Sequence, residues 1–513
     1  MAKYLIGCDI GTSSAKAVLI DLEGNVLGSH YVEYPTYKPQ SGWLEHNPED
    51  YWRVFKENVA VIMRKSGVSP KEVAGIGVSS CGPCSVLVDR EGRSLGNCQI
   101  WMDRRGVAEC NFVRNFYDDD EVFKVSANPL DPHYGVIKLL WEKNHRRDIY
   151  NQTYKMLAPC NYVNLCLTGE FVMDYSSASI MGIAFDIVER KWRGDMLERI
   201  GLDPDKFPRV APCHEVIGMV TEKAAAECGL VPGIPVVAGT VDSNAAWLSN
   251  GCVHPGEASL VMGTAACMCV VHEEPRFTRN LMNSIHVAHS DKYYTTLCGT
   301  ACCGGLLHYL RDCFSEEEAA MLDREGKDIY ERFSEEAATV KPGSDGLIVL
   351  PYFAGERTPL WNPIARGMVF GISLSHTRAH WVRAMMEGGV YAVYHCLKLM
   401  QESGLYVKSP MPVSEGGANS PVWRQIVADI LDVEISYMKN SKGAPMGNAI
   451  NAGVGVGLFK NWDIARKFVT GDYINKPSPE AHQTYENYYK LYRRLYEENR
   501  AKYDVLQELR SND

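Results

Sequence analysis

Nothing in this 513-residue sequence approaches the roughly 20 consecutive apolar residues of a membrane span, and no apolar leader core follows its first residues. The chain is therefore expected to be cytoplasmic, with no membrane partner. Positive charge is also in deficit, with 53 Lys and Arg against 63 Asp and Glu and a formal net charge of −10. The basic residues are dispersed, so no face is available for nucleic acid, and an anionic ligand must be met by local groups. Low-complexity tracts are absent. Cysteine is plentiful at 17, but in a chain this long without a leader these are expected to be reduced thiols. Cys8, Cys166, Cys298 and Cys396 fall at strand or helix core positions. The adjacent pair Cys302 and Cys303 lacks metal-ligand spacing, which argues against zinc.

What is present suits a large layered protein. Hydrophobic residues make up 46% of the chain, enough for a sizeable core, and at roughly 150 residues per domain two big lobes fit best. Strand and helix signals alternate over the first 245 or so residues, as in an α/β domain. A helix is expected over 51–64 and strands over 73–79, 85–89, 97–101 and 234–239. Helices should dominate from 105 to 199, broken near Asn128-Pro129 and Thr168-Gly169. The tail from 485 to 509 reads as a charged, Tyr-rich helix. The expected division is 1–245, 246–460 and a helical extension 461–513.

Four segments carry candidate chemistry. Residues 4–27 place Asp9, a small-residue turn and Lys16 between two apolar strands. Gly11 has no Cβ, so backbone N–H groups of the turn can approach a phosphate, with Thr12, Ser13 and Lys16 adding donors and charge. A carboxylate that close to a phosphate needs a cation between them, which makes Asp9 a candidate Mg2+ ligand. An ordinary hairpin with a polar turn accounts for the same residues. Residues 258–271 repeat the arrangement of strand, Gly263-Thr264 turn and returning strand. Asp242 follows a strand and tight turn at a helix start, where it is either a helix cap or a base accepting a proton from a substrate hydroxyl. Gly416 and Gly417 open a turn against which a flat base or ribose can lie.

Taken in order, these segments resemble the FGGY carbohydrate kinase family, and its xylulokinase-like branch most closely. The resemblance rests on Asp9 to Lys16, Gly42 to Glu45, Trp101 to Arg105, Gly239 to Asp242, Gly263-Thr264, Pro351 to Pro359, Ala365 to Gly371, Arg383 to Gly388 and Gly416 to Ala418. It implies an α/β fold of two actin-like, ribonuclease-H-like lobes, with ATP and sugar in the interlobe cleft. It also implies Asp242 as general base, also touching the substrate, and Asp9 on the magnesium side. Gly11, Thr12, Ser13, Gly263 and Thr264 would form the triphosphate turns, with Lys16 in support. Gly416, Gly417, Ala418 and Asn419 would contact adenosine, and Trp101 and Asp103 the sugar. Glu356 and Arg357 read more readily as a structural ion pair than as ligand contacts.

One departure concerns the substrate. After the strand that ends at Ser80, xylulokinases of this resemblance carry Gln-Met-His-Gly, whereas this chain has Cys81-Gly82-Pro83-Cys84. Gly82 and Pro83 occupy the sugar-side turn and cannot supply the missing imidazole. The tetrapeptide is also that of thioredoxin, but here it leads into a strand rather than a helix, which argues against thiol-exchange chemistry. The expected activity is transfer of the γ-phosphate of ATP, with Mg2+, to a hydroxyl of a small ketose or polyol. Xylulose, ribulose, erythritol and glycerol remain open, as does a non-catalytic sensor of ATP and sugar. A homodimer is one assembly open to such a chain.

Overall fold

The alternating apolar residues at the start of the chain form the antiparallel strands Tyr4–Ile10 and Ser14–Ile20, in a computed structural model that describes residues 3–469 and 471–511. The period of two is visible in what each face buries. Ile6, Cys8 and Ile10 join one core cluster with Tyr51 and Phe55, while Leu5 joins another with Met446 and Ala449. The first face is covered by the helix Pro48–Ser66, capped by the Asn47 side chain on the N–H of Glu49 and stopped by Gly67 at φ 67°. The second is covered by the helix Gly443–Gly455.

The chain divides into two compact units. The first comprises residues up to Pro255, Val271–Thr295 and Lys442–Val469; the second comprises Gly256–Val270, Thr296–Ser441 and the residues from 471 on. These units interleave along the chain, unlike the contiguous segments 1–245, 246–460 and 461–513. The helix Gly443–Gly455 lies in the first unit because small residues let it sit directly on that unit's sheet. A Cβ on Gly7 would lie 1.8 Å from the carbonyl oxygen of Pro445, and one on Gly447 would lie 1.9 Å from that of Ala245.

The sheet of the first unit runs in the order Val216–Met219, Pro235–Val237, Val73–Ser80, Tyr4–Ile10, Ser14–Ile20, Val26–Glu33, with Thr240–Val241 also paired to Val73–Ser80. Val73–Ser80 is parallel to Tyr4–Ile10, pairing Asp9 with Ser79, and parallel to Thr240–Val241, pairing Thr240 with Ser79. The expected strands 85–89 and 97–101 shrink to Val86–Val88 and Cys98–Gln99. Between 105 and 199 helices alternate with short strands such as Lys155–Leu157 and Val172–Asp174.

The second unit repeats the first unit's logic. Ala258–Met262 pairs antiparallel with Ala266–His272 and parallel with Met411–Ser414, as Tyr4–Ile10 does with its own neighbours. Ile435–Tyr437 and Tyr473–Asn475 extend this sheet. The 25-residue helix Arg378–Glu402 and the tail helix Pro479–Ser511 meet through a buried network. Arg383 Nε donates to Glu387 at 2.8 Å, Arg383 Nη2 to the Tyr485 hydroxyl at 2.7 Å, and that hydroxyl to Glu387 at 2.9 Å. All 17 cysteines are free thiols, with Cys8, Cys298 and Cys396 buried and Cys166 partly so. No helix among the described residues is long and apolar enough to cross a membrane.

Two consequences are measurable. Replacing Gly7 by Ala drives a methyl into backbone that cannot yield cheaply, so the variant should lose about 3 kcal/mol or more in urea unfolding. His46 is buried with Nε2 on Thr36 Oγ1 at 3.0 Å and Nδ1 on the Tyr51 hydroxyl at 2.9 Å, and burial pulls its pKa down to about 4. The unfolded chain takes up that proton from about pH 6.5. The stability held by neutral His46 is therefore present above that pH and lost as pH falls to about 4. The gap in melting temperature between the natural chain and a His46→Gln variant should narrow over this window.

Candidate functional site

The geometry of the first unit's site follows from three neighbouring parallel strands that end side by side. Asp9 lies near the end of Tyr4–Ile10, Cys81 follows Val73–Ser80 in the middle, and Asp242 follows Thr240–Val241. The Cys81 N–H extends the ladder to the carbonyl of Ile10 at 2.9 Å. Carboxyl ends of parallel strands are where open α/β sheets place their ligand chemistry, because the connecting turns converge there.

Asp9 is partly buried on the face that carries Leu5 and Gly7. Its Oδ1 accepts from the Ser79 hydroxyl at 2.7 Å; that oxygen in turn accepts from Asn448 Nδ2 at 2.7 Å, and the same Nδ2 donates to the Cys8 carbonyl at 2.7 Å. Burial pushes the Asp9 carboxyl up to about 6, against the opposing pulls of Ser79 and Lys16. Asp9 Oδ2 has no hydrogen-bond partner among the described residues. A desolvated carboxylate with one oxygen committed and one open suits a hard cation. No group of three or more His, Cys, Asp or Glu among the described residues forms a cage, and Asp9 would offer a single carboxylate to a Mg2+ ion.

The turn that follows is closed by Gly11 N–H to the Ser14 carbonyl at 3.0 Å and by Tyr34 N–H to the Ser13 carbonyl at 3.2 Å, while the Tyr34 hydroxyl donates to the Gly11 carbonyl. Ser13 is exposed at its tip, and Thr12 is half-exposed. Lys16 is already back in the strand, opposite Asp9, with its side chain exposed.

Asp242 is the first residue of the helix Asp242–Ser249, one position beyond the cap, which is Val241. Its Oδ1 accepts the neighbouring Ser243 N–H at 2.6 Å. The strand and turn leading to it are held by buried amides. Asn161 Nδ2 donates to Ala238 O at 3.2 Å, Asn164 Nδ2 to the carbonyls of Val237 and Ala238, and Asn244 Nδ2 to Ser176 Oγ at 2.7 Å.

The aromatic Trp101 joins this group through its indole N–H, which donates to Thr12 Oγ1 at 2.9 Å, while its carbonyl accepts from His133 Nδ1 at 2.8 Å. Asp103 is buried, with Oδ2 taking the Leu44 N–H at 2.7 Å and both oxygens taking Arg105 Nε at 2.9 and 3.0 Å. The Arg105 guanidinium lies 3.6 Å from the Trp43 ring centroid and pairs with Glu45 at 2.9 Å. Asp103 thus knits residues 43–45 to 101–105. Gly82 is half-exposed, and the Pro83 carbonyl accepts from buried Lys138 Nζ at 2.7 Å.

In the second unit, the Gly263-Thr264 turn sits on the start of the helix Gly304–Phe314. Gly304 N–H donates to Gly263 O at 3.0 Å, and Cys303 and Gly305 N–H to Thr264 O at 2.8 and 3.0 Å. Thr264 itself is exposed. Gly416–Asn419 is a single 3-10 turn before the helix Pro421–Leu431, held by Arg424 Nη1 on the Ala418 carbonyl at 2.6 Å. The Asn419 side-chain oxygen accepts from the Tyr437 hydroxyl at 2.5 Å, so it braces the turn. Glu356 Oε1 accepts the N–H groups of Ala301 at 2.7 Å and Arg357 at 2.8 Å, so it organises the loop through backbone.

Ser79, Asn448, Asn161, Asn164, Asn244, His133 and Lys138 carry no sequence motif that singles them out. For Asn448, the signal available is Gly447 immediately before it, with Gly443 and Ala444 further back, which marks a close approach.

Comparison with known proteins identifies the family. The model of the FGGY family of carbohydrate kinases, N-terminal domain, matches residues 4–249, and the C-terminal domain of the same family matches residues 258–456. A xylulose kinase of Staphylococcus epidermidis is 31% identical over 501 residues, covering 97% of this chain and 97% of that protein. A gluconokinase of Bacillus subtilis is 29% identical over 486 residues, covering 94% of each. The crystal structure of xylulose kinase from Rhodospirillum rubrum matches with a TM-score of 0.89 at 29% identity, covering 98% of this chain and 100% of that chain.

Asn448 acts on Asp9 only through Ser79 and the Cys8 carbonyl. Asn448→Ala is expected to lower kcat for sugar-dependent ADP release by roughly tenfold while leaving the sugar KM within about twofold. A kcat-against-KM comparison on the folded variant checks it.

Proposed function

The chain belongs to the FGGY family of carbohydrate kinases, and on that premise we propose that it transfers the γ-phosphate of ATP to a hydroxyl of a small, xylulose-like ketose or polyol, with Asp242 as general base. The observation that carries this reading is the placement of Asp9 and Asp242 at the ends of strands that flank Val73–Ser80 in one sheet. Two carboxylates so placed divide the work: one partly buried and tied to Ser79, the other at the start of a helix.

Asp9 would hold Mg2+, which when bound supplies positive charge to the phosphates. The Gly11 to Ser13 turn offers backbone N–H groups and the Thr12 and Ser13 hydroxyls to phosphate, and exposed Lys16 adds charge beside Asp9. Gly263 and Thr264 offer a second such turn, and Gly416 to Asn419 a surface for adenosine. Asp242 takes the proton of the attacking hydroxyl, which keeps charge from building on the oxygen as its bond to phosphorus forms. Trp101, fixed at both ends by Thr12 and His133, presents an aromatic face to the polyol, and Asp103 holds the segment that carries it. Gly82 and Pro83 shape the turn nearest the sugar without a side-chain donor, so they select by shape and backbone polarity.

Replacing Asp242 by Asn keeps the shape and removes the base, so turnover should fall by ~100-fold or more. Nearly natural turnover by that variant would refute the assignment. The acceptor is found by measuring ADP release over ketopentoses, ketohexoses, tetritols, glycerol and gluconate, followed by product NMR to place the phosphate. Nucleotide binding without turnover on any acceptor would favour a sensor instead.

A further inference from the structure

The phosphoryl-transfer reading leaves one cluster beside the site unused. Cys81 and Cys84 have their sulfurs 3.9 Å apart, close enough for hydrogen bonding and short of a bond. Buried Lys138, 1% exposed, reaches the same turn and donates Nζ to the Pro83 carbonyl at 2.7 Å. Cys81 neighbours the Thr12 side chain, which is half-exposed and bound to the Trp101 indole. The pair therefore lies one side chain beneath the surface assigned to the sugar.

We propose that Cys81 and Cys84 are an oxidisable pair, closed to an internal disulfide by a small peroxide, and that closure weakens sugar binding at this turn. The second half of the proposal rests on the kinase reading above; the first does not.

The charge pattern supports it. Burial pushes the Cys84 thiol upward, but the hydrogen bond from Cys81 and the nearby Lys138 charge outweigh burial and hold it below the ordinary cysteine value. Lys138 is itself pulled down to about 8 by burial, while Cys84 and Asp103 hold it up. Disulfide closure requires one sulfur as thiolate and the other as thiol, and of the two Cys84 is the one whose proton is held less firmly. With the two residues 2% and 0% exposed, the disulfide of a folded protein cannot reach them, which leaves small solutes such as a peroxide or a small dithiol. That separates this pair from thioredoxin, whose tetrapeptide it shares but whose helix start it lacks; here the chain runs on into the strand Val86–Val88.

The steps balance. The Cys84 thiolate attacks one peroxide oxygen, the O–O bond breaks, and the departing hydroxide takes a solvent proton to become water, leaving a sulfenic acid. The Cys81 sulfur then attacks the Cys84 sulfur, the S–O bond breaks, and the hydroxyl leaves with the Cys81 proton as a second water. Two electrons pass from the two sulfurs to the peroxide. Closing 3.9 Å to the ~2.05 Å of a disulfide draws in the Gly82-Pro83 turn and removes the Cys81 thiol from Thr12.

The test uses the full chain carrying Cys313→Ser, since Cys313 is an exposed thiol that would react first. Reduced protein is treated with a few equivalents of hydrogen peroxide, mapped by peptide mass spectrometry and assayed for sugar phosphorylation. The expected result is a peptide containing residues 81 and 84 lighter by two hydrogens and restored by dithiothreitol. The sugar KM should rise on the order of tenfold in the oxidised form and return on reduction. Oxidation that spares this pair and bridges other thiols, such as Cys298 and Cys396, would overturn the proposal, as would bridging with an unchanged sugar KM. If the reduced enzyme phosphorylates no sugar, the kinase reading fails while the bridged peptide still reports on the dithiol.

Discussion

The first unit depends on how closely the helix Gly443–Gly455 approaches the strand Tyr4–Ile10. A side chain at Gly7 would fall inside van der Waals contact with the Pro445 carbonyl oxygen, so the approach exists only because that position is bare. Helices ordinarily stand off a sheet by the length of their side chains. At this shorter distance, Asn448 can place its amide between two strands and donate to both the Cys8 carbonyl and the Ser79 hydroxyl. Asp9 is thus positioned from beneath by a residue far along the chain. Its carboxylate is also kept away from water, which raises its affinity for a proton or a cation. Packing and electrostatics at this point are one arrangement seen from two sides.

The same economy of position governs Asp242. Its strand Thr240–Val241 and the strand that bears Asp9 both pair with Val73–Ser80, so the separation of the two acids is set by sheet geometry rather than by loop conformation. The amides of Asn161, Asn164 and Asn244 satisfy backbone and hydroxyl groups that would otherwise be buried unpaired near the turn before Asp242. Rigid strands hold reacting atoms more tightly than loops do, and proton transfer to a fixed base depends on distances of a few tenths of an ångström.

Local pattern makes much of this legible in the amino-acid order itself. The two strands around Gly11, the strand at 73–80, the helix begun by Asp242 and the long tail helix follow from alternation, caps and breakers, and the recurrence of the hairpin at 258–272 is visible as well. What escapes depends on contacts distant in sequence. Asn448 is 440 residues from Cys8, and no periodicity announces such a pairing. The family resemblance assigns Asp103 to the sugar side, and the sequence does not show that Arg105 and Leu44 take up its oxygens. The interleaving of the two units is hidden for a related reason: small residues signal close packing without saying against what.

The middle strand explains how one scaffold can keep its chemistry while its acceptor changes. Val73–Ser80 contributes Ser79 to the support of Asp9 and pairs with the strand before Asp242, so its body is constrained on both sides. The residues immediately past its end are not. Cys81 to Cys84 belong to a turn anchored by Lys138 on the Pro83 carbonyl, and side chains there can vary without shifting either acid. On the proposed reading, phosphoryl transfer is tied to the sheet, while acceptor choice is tied to the turn. On that same reading, a chain with Gly82 and Pro83 in the turn would recognise its acceptor through shape, backbone groups and the indole of Trp101 rather than through an imidazole. Such a site discriminates most strongly against substituents that collide with the turn, and least against the loss of a single hydroxyl, because no buried side-chain donor in the turn is left unpaired when that hydroxyl is missing.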